Sequence, residues 1–336
     1  MTDKHFPIDA SIISAEALTA RVLPKYRLAN PTCSLLAHGV NDTYSVTTNS
    51  KHYFLRVYRC AWRNRKHIAS EVDMLNYLRA DKQPVSYPIK CKNGAYVSRI
   101  NAPEGIRYAV LFSDATGTIP NFRKLAVCHQ YGEIAGRMHE SMDRCKKDVQ
   151  RFDIDLKHLI DDSLDSISLI LFNRSKDMDF LQKVGTELKS ELCKLPTEKP
   201  FYGLCHGDHH GGNVHQDSDG RMTVFDFDCY GYGWRAYDVA VFRWSLGLRY
   251  GFNGSQRGKG TRRWNAFMNG YSKVRCLTHN ELKATALFIP ARHIWLMALH
   301  ANLSRTVGSN ILNPGAIGRH IDIVRQSFAA ADKLAM

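Results

Sequence analysis

The pattern of apolar and polar positions divides the chain into a β-rich first part and a helix-rich second part. Short runs of β-branched, aromatic and other apolar side chains occur at residues 33–37, 43–48, 53–58, 96–100 and 107–112. Such runs, joined by short turns, predict antiparallel strands, and the first three predict a meander. Between the third and fourth runs, residues 68–79 carry apolar side chains at helical spacing, which predicts one helix.

Helical patterns dominate the second part of the chain. Residues 125–142 predict a helix, and residues 148–195 are helix-like and polar-patterned. A compact block of loops and strands occupies residues 203–238, and the remainder is mainly helical. The segment 278–281, Thr-His-Asn-Glu, has the form of a capping box and predicts a helix start. These patterns predict an α+β fold whose two parts meet at residues 113–118.

Composition indicates a folded globular chain. It has 336 residues, of which 44% are hydrophobic. The first residues lack the basic region and apolar core of a signal peptide, and no stretch reaches the roughly 20 apolar residues of a membrane helix. Nine scattered cysteines without a Cys-x-x-Cys pair fit reduced thiols better than a disulfide framework. We therefore expect a soluble cytoplasmic protein with no membrane partner.

The formal net charge of +14 has two interpretations. One is a basic but otherwise ordinary surface, and the other is attraction to an anion such as a nucleoside triphosphate or a nucleic acid. The densest basic segment, residues 56–66, is short and local. Because a long basic stripe is absent, the sequence argues against a dedicated nucleic-acid binder.

Two acids and one amide form the pattern that carries the chemistry. Asp208 and Asn213 lie five residues apart on a glycine-rich loop, and Asp226 follows thirteen residues after Asn213. A turn at 217–220 and an apolar run at 222–225 lie between them, so a loop and a hairpin can bring the three side chains together. Phosphoryl transfer needs an acid near the attacking hydroxyl and hard oxygen ligands for magnesium. The three residues fit that requirement.

The segments His-Gly-Asp-His-His-Gly-Gly-Asn (206–213) and Phe-Asp-Phe-Asp (225–228) resemble those of the aminoglycoside phosphotransferase and choline kinase superfamily. This superfamily includes a type of homoserine kinase, and its members are small-molecule relatives of eukaryotic protein kinases. The resemblance implies a two-lobed, protein-kinase-like fold, an ATP-dependent reaction and Mg²⁺. It implies a sheet-rich N-lobe over residues 1–112, a hinge at 113–118 and a helical C-lobe over 119–336.

The resemblance also implies roles for the residues of the double motif. Asp208, on the catalytic loop 204–213, is expected to be the catalytic base or to orient the hydroxyl. Asn213 and Asp226 are expected to bind magnesium, the latter from a metal-binding strand at 222–228. Asp228 lies two residues further, so on a regular strand it faces the same side as Asp226 and is a second ligand or orients the first.

Seven residues of the first part are implied to bind the nucleotide: Asn41, Asp42, Arg56, Glu71, Phe112, Ser113 and Ala115. Asn41 and Asp42 lie in the nucleotide-covering turn, and the backbone of Ser113 and Ala115 is expected to bind the base. Most relatives have Lys where this chain has Arg56, which can also bind phosphate and would pair with Glu71.

Further residues are assigned by position alone. Relatives place an acid at Asp238 to brace the catalytic loop, and they build the acceptor pocket from the helix at 291–300. His209, Arg292, His293, Trp295 and His300 are therefore candidate acceptor contacts. For each of them the alternative is a core, capping or solvated side chain.

Two other functions remain open at this stage. His206, Asp208 and His209 resemble part of a metallohydrolase motif, but the preceding His is replaced by Leu204 and no second ligand set with zinc spacing follows. A Ser/Thr protein acceptor is an alternative to a small molecule, because one bacterial stress-kinase branch of the superfamily phosphorylates proteins.

The acceptor itself is only weakly defined by the sequence. An amino alcohol, amino acid, sugar or antibiotic such as an aminoglycoside would suit the motif. After residue 234 only four acids occur, Asp238, Glu281, Asp322 and Asp332, which argues against a polycationic acceptor. A second group of acids between 148 and 195 could supply the missing charge: Asp153, Asp155, Asp161, Asp162 and Asp165.

Overall fold

The computed structural model describes residues 6–147, 149–308 and 313–335. Residues 1–5, with which the predicted N-lobe begins, lie outside the described residues, as do Asp148, 309–312 and Met336. The chain divides into two compact units, Met1–Thr116 and Gly117–Met336. No described helix has an apolar stretch of the length and hydropathy that a membrane crossing requires.

The first unit is built on an antiparallel sheet with the strand order β1-β2-β3-β5-β4. Its strands are β1 (Thr32–His38), β2 (Asp42–Thr47), β3 (His52–Val57), β4 (Val97–Ala102) and β5 (Gly105–Ser113). Consecutive strands pair directly from β1 to β3, which confirms the predicted meander. Strand β5 returns beside β3, with Arg56 opposite Val110.

Two helices accompany this sheet, α1 (Ala15–Arg21) and α2 (Arg65–Ala80). The Asn64 side chain caps α2 by accepting a hydrogen bond from the His67 N–H group. The apolar positions that predicted this helix, from Ile68 to Leu78, are buried. Burial of that stripe supplies the main stabilisation of such a helix, since short helices are marginal in isolation.

The second unit is mainly helical. Its helices are α3 (Leu125–Arg144), α4 (Asp162–Ser168), α5 (Ser175–Leu192), α6 (Arg235–Tyr250), α7 (Arg257–Tyr271), α8 (His279–Val307) and α9 (Pro314–Ala335), with a π-helical turn at Lys157–Asp161. The predicted capping box is present: Thr278 accepts from the Glu281 N–H group, and Glu281 accepts from the Thr278 N–H group. A sheet-rich unit followed by a helical unit confirms the predicted α+β class.

Short strands position the central loop of the second unit. Strand β10 (Gly231–Trp234) lies between β6 (Asp153–Ile154) and β7 (Tyr202–Cys205), and β8 (Val214–Gln216) forms a hairpin with β9 (Met222–Val224). The prediction of one strand over 222–228 was wrong in its second half. Strand β9 ends at Val224, and a 3₁₀ turn follows at Phe227–Cys229, after Asp226 adopts a left-handed conformation with φ 65°.

Candidate active site

Asp238 fixes the start of the loop that follows β7. Its carboxylate accepts hydrogen bonds from the backbone N–H groups of His206 and Gly207, each at 2.8 Å, and from His139 Nε2 at 2.9 Å. Burial alone would raise the pKa of Asp238, but the bond from His139 and the neighbouring imidazoles hold it well below its usual range. Asp238 is therefore a charged, fully engaged group that orients the loop.

Gly207 has a backbone that other residues adopt only with strain. Its φ is +79°, and a Cβ added there would lie 2.1 Å from the Cys229 carbonyl oxygen. Only glycine lets the loop pass so close to the following turn while its N–H group points at Asp238. The glycine before Asp208 in the motif is therefore required by the backbone conformation and by this close contact.

The side chain of Asn213 lies against Asp208. Asn213 Nδ2 donates to the Asp208 carbonyl oxygen at 2.9 Å and approaches Asp208 Oδ2 at 3.3 Å. The Phe225 N–H group donates to the Asn213 carbonyl oxygen at 3.0 Å, and His206 Nε2 donates to the Phe225 carbonyl oxygen at 3.0 Å. The loop and the residue before Asp226 are therefore held together by one backbone hydrogen bond and one bond from the His206 side chain.

The group formed by Asn213, Asp226 and Asp228 offers oxygen atoms, the donors that magnesium prefers. Because Asn213 uses its amide nitrogen on Asp208, its amide oxygen points elsewhere. Asp226 is half-buried at the left-handed position, whereas Asp228 is buried within the 3₁₀ turn. The two carboxylates lie on a turn rather than a strand, so the alternation of a strand does not relate them.

Arg292, one of the candidate acceptor contacts, pairs with Asp208 in the structure. One of its Nη atoms donates to Asp208 Oδ1, and the residue is 2% exposed. The guanidinium lies over the rings of Trp295, at 4.3 Å from the centroid, and Trp244, at 5.2 Å. Burial would raise the pKa of Asp208, but Arg292 first and then His210 and His206 lower it. Asp208 is thus an anion neutralised by a buried cation.

Histidines hold both tryptophans of this arrangement. Trp295 Nε1 donates to His158 Nε2 at 2.9 Å, and Trp244 Nε1 donates to His293 Nδ1 at 3.1 Å. Since an indole only donates, His293 is neutral there, and its Nε2 is left to donate to His320 Nδ1 at 3.0 Å. His320 in turn approaches His300 at 3.4 Å.

Most of the candidate acceptor residues contact the side chains around Arg292 or support the catalytic loop. His293, Trp295 and His300 take part in the histidine and tryptophan contacts around Arg292. His209 is buried and stacks on Tyr131 with 4.4 Å between ring centroids, while Tyr131 donates to the His210 carbonyl oxygen. His209 therefore supports the loop from inside. Sequence reasoning did not identify Trp244, His158, His139 or His320, because only the packing of distant helices brings them here.

Arg56 and Glu71 form an ion pair in the first unit. Arg56 Nη1 lies 2.9 Å from Glu71 Oε1, and Tyr58 Oη donates to Glu71 Oε2 at 3.0 Å. Glu71 is fully buried, and the Arg56 guanidinium also lies 5.1 Å from the centroid of Phe112. The expected pairing of the cation on the third strand with the acid on the first long helix is present.

Two candidate nucleotide contacts are already engaged within the first unit. Asp42 is buried and uses one carboxylate oxygen for Arg107, at 2.6 Å, and the other for His38, at 2.6 Å. Ser113 donates its N–H to the Tyr87 carbonyl oxygen at 2.8 Å, and its own carbonyl accepts from Ser86 Oγ at 2.6 Å. These bonds engage the Ser113 N–H group and one lone pair of its carbonyl oxygen, and they give the Asp42 side chain a structural role within the unit.

The remaining nucleotide candidates lie beside these two. Asn41 Oδ1 accepts from the Arg59 N–H group at 3.2 Å, and Arg59 also donates to the carbonyl oxygens of Val40 and Gly39. The side chain of Asn41 thus helps to fix the turn at the end of β1. Ala115 is buried.

The loop histidines do not form a zinc site. His206 uses both ring nitrogens on backbone groups, donating to Phe225 and accepting from the Asp208 N–H group. Within the described residues, the group with metal-ligand spacing is His139, Cys205 and Asp238, whose atoms lie within 4.8 Å of one another. His139 and Asp238 use their ligand atoms in the hydrogen bonds above, and burial raises the pKa of Cys205.

A family profile described as "Phosphotransferase enzyme family" matches residues 32–277. The chain belongs to this family. It is a phosphotransferase of the kinase type, as the double motif predicted. An uncharacterised protein of Synechocystis sp. is 32% identical over 324 residues, which cover 96% of this chain and 87% of that protein. Amicoumacin kinase of Bacillus subtilis is 24% identical over 249 residues, or 73% of this chain and 72% of that kinase.

Solved structures show the same fold. A microcompartment-associated aminopropanol kinase superposes with a TM-score of 0.76 at 23% identity, covering 95% of this chain and 97% of that one. The amicoumacin kinase hAmiN, in complex with AMP-PNP, Ca²⁺ and Ami, gives a TM-score of 0.74 at 21% identity, covering 96% and 94%. These similarities confirm the protein-kinase-like fold of this phosphotransferase.

Proposed function

We propose that this phosphotransferase moves the γ-phosphate of ATP to a hydroxyl group on a small molecule. The contact between Asp208 and Asn213, tied to Asp226 through Phe225, is the observation that carries this proposal. It joins a carboxylate suited to a hydroxyl with an oxygen set suited to a divalent cation. The named relatives, aminopropanol kinase and a kinase complexed with AMP-PNP and Ca²⁺, support the same class of reaction.

Each residue has one task in this proposal. Asp208 accepts the hydrogen bond of the acceptor hydroxyl and orients its oxygen toward the phosphate. Asn213, Asp226 and Asp228 would hold Mg²⁺, which when bound neutralises phosphate charge. Arg56, kept in place by Glu71, binds phosphate oxygens of the nucleotide. Asp238 keeps Asp208 in position by orienting the preceding backbone.

We also propose that the acceptor carries no ammonium group next to the reacting hydroxyl. The guanidinium of Arg292 lies directly on Asp208, so a second cation there would be repelled. Four of the five acids that could offset this charge make contacts elsewhere in the second unit. Asp161 and Asp162 pair with lysines, Asp153 accepts from Tyr202, and Asp155 accepts from a backbone N–H group. A neutral or anionic acceptor fits these charges better than a polycationic one.

A screen for acceptor-dependent ADP release tests the proposal. The purified protein would receive Mg-ATP and a set of hydroxylated metabolites and antibiotics, with the Asp208→Ala variant as the blank. We expect at least one small molecule to stimulate ADP release in the wild type alone, with phosphate found on its hydroxyl by mass spectrometry. A phosphorylated protein in place of a small molecule, or equal rates in the blank, would contradict the proposal.

A further inference from the structure

A cavity in the second unit lies among helices α6, α7, α8 and α9. Its volume is about 130 Å³. Apolar side chains form most of its wall: Leu246, Phe252, Trp264, Ala286, Ile289 and Ala330. Two arginines, Arg243 from α6 and Arg257 from the start of α7, line it as well. The lining includes none of the residues assigned above to catalysis or to metal binding.

The two arginines lack counter-ions in the part of the chain that the structure describes. Arg243 donates to Thr285 Oγ1 at 2.6 Å, and its guanidinium lies 5.2 Å from the centroid of Trp264. The described residues that line the cavity include no Asp or Glu, and no ion pair to a described acid neutralises either guanidinium. Among the described residues, Thr285 and Trp264 orient Arg243, and neither carries a charge that would compensate it.

Two cations on one apolar wall are unfavourable without an anion. Burial, and then the charge of Arg257, lowers the pKa of Arg243 to about 10, so the Arg243 side chain remains protonated at neutral pH. A partly buried cation without a partner costs free energy, and a bound carboxylate or phosphate would recover it through charge-assisted hydrogen bonds. Guanidinium groups are suited to this, since they bind such anions in a bidentate manner.

We infer that this cavity binds a small organic anion, with its carboxylate or phosphate on Arg243 and Arg257 and its apolar body against Trp264 and Phe252. The volume suits a short ligand, because an engineered apolar cavity of roughly 150 Å³ holds benzene. The apolar wall and the paired cations together select an amphipathic anion over an inorganic ion or a neutral apolar molecule.

Helix α6 lines the cavity and also contacts residues that support the catalytic loop. Trp244, the residue after Arg243, contacts Arg292, which pairs with Asp208. Phe242, the residue before it, packs on Tyr131 with 5.3 Å between centroids, and Tyr131 stacks on His209. An anion on Arg243 would therefore be bound to the helix that carries Phe242 and Trp244. Through their contacts with Tyr131 and Arg292, these two side chains support the catalytic loop.

Thermal unfolding with benzoate as the probe tests the site, and phenyl phosphate and neutral benzamide are the comparison ligands. At about ten times its Kd, benzoate should raise the Tm of the wild type by about 2 °C. Methionine retains an unbranched apolar chain but lacks the guanidinium group. Arg243→Met and Arg257→Met should therefore lose this shift. Arg249→Met on the exposed part of α6 is the matched control and should retain it.

The comparison ligands distinguish the chemistry of the anion. A shift with phenyl phosphate that exceeds the benzoate shift and needs both arginines indicates a phosphate site, and the reverse order indicates a carboxylate site. Equal shifts with benzamide, or equal benzoate shifts in the wild type and Arg257→Met, would overturn the inference. Arg257 is the decisive position, since it lies at a helix end and its hydrogen bonds to Gly254 and Thr261 use backbone atoms, which the substitution retains.

Discussion

Arg292 donates a hydrogen bond to Asp208 Oδ1 from a fully buried position between two indole rings. No hydrogen bond to the described residues satisfies Arg292 Nε and Nη1. The guanidinium thus neutralises one oxygen of the carboxylate, while Asn213 lies near the other. This pair sets the charge next to the expected position of the acceptor hydroxyl.

Replacement of Arg292 should change which acceptor charge is preferred. In Arg292→Met, the ratio of kcat/KM for 3-hydroxybutyrate to that for 1-amino-2-propanol should fall by about tenfold or more, because each contact between charges of this kind contributes about 1 kcal/mol or more. The two compounds share a secondary alcohol and differ in the charged group. Steady-state rates with both acceptors measure the ratio. A ratio that matches the wild type would disprove the charge role of Arg292.

Removal of the Asp208 carboxylate should abolish transfer but not nucleotide binding. In Asp208→Ala we expect the transfer rate to fall by roughly a thousandfold, since positioning and proton acceptance are both lost. Binding of Mg-ATP, followed by calorimetry, should stay within a few fold of the wild type. The exposed turn residue Asp219 supplies the control variant Asp219→Ala, which should transfer at the normal rate. Near-normal turnover in Asp208→Ala would refute the assignment.

Asp226 should matter only when a divalent cation is present. Asp226→Ala should lose the thermal stabilisation that Mg-ATP gives the wild type, because the cation loses an oxygen ligand. With ATP and a chelator, the difference between the unfolding temperatures of the wild type and the variant should be the same as without ligand. Unchanged stabilisation of the variant by Mg-ATP would exclude Asp226 as a ligand.

Substitutions at Gly207 and Gly254 allow the free-energy cost of steric overlap to be measured apart from that of backbone strain. Both have positive φ, +79° and +76°, but an added Cβ meets the Cys229 carbonyl oxygen at 2.1 Å in the first case and nothing within 4 Å in the second. Gly254→Ala should cost about 1 kcal/mol of unfolding free energy. Gly207→Ala should cost more than that and also reduce transfer, since the loop before Asp208 must shift. Denaturant unfolding gives both values; equal costs would contradict the overlap.

Acid should weaken the second unit through its buried histidines. Burial lowers the pKa of His139 to about 4 and that of His320 to about 4, below the unfolded value of about 6.5. The unfolded chain therefore binds more protons between these values, and stability is full above pH 6.5 and declines as the pH falls toward 4. Unfolding free energy measured from pH 8 to 4 tests this. His139→Gln should flatten the decline, and an unchanged slope would count against it.

The sequence alone predicted the strands of the first unit because alternation and turn residues are local properties. It also predicted the capping box at Thr278 and the grouping of Asp208, Asn213 and Asp226, since a loop and a short hairpin connect them. The strand expected over 222–228 was wrong because a left-handed residue has no signature in hydrophobic pattern. The hydrogen bonds of the Ser113 backbone were not predicted because its partners, Ser86 and Tyr87, lie far back in the chain.

The sequence by itself thus determined the family, and it predicted the candidate chemistry, a carboxylate for a hydroxyl and oxygen ligands for a cation. Only the tertiary structure decided what surrounds that chemistry. Arg292 lies 84 positions from Asp208, and His139 lies 99 positions from Asp238. Such contacts depend on how helices pack, and no local pattern encodes the packing. The charge next to Asp208, on which the proposed acceptor preference depends, is therefore a property of the fold.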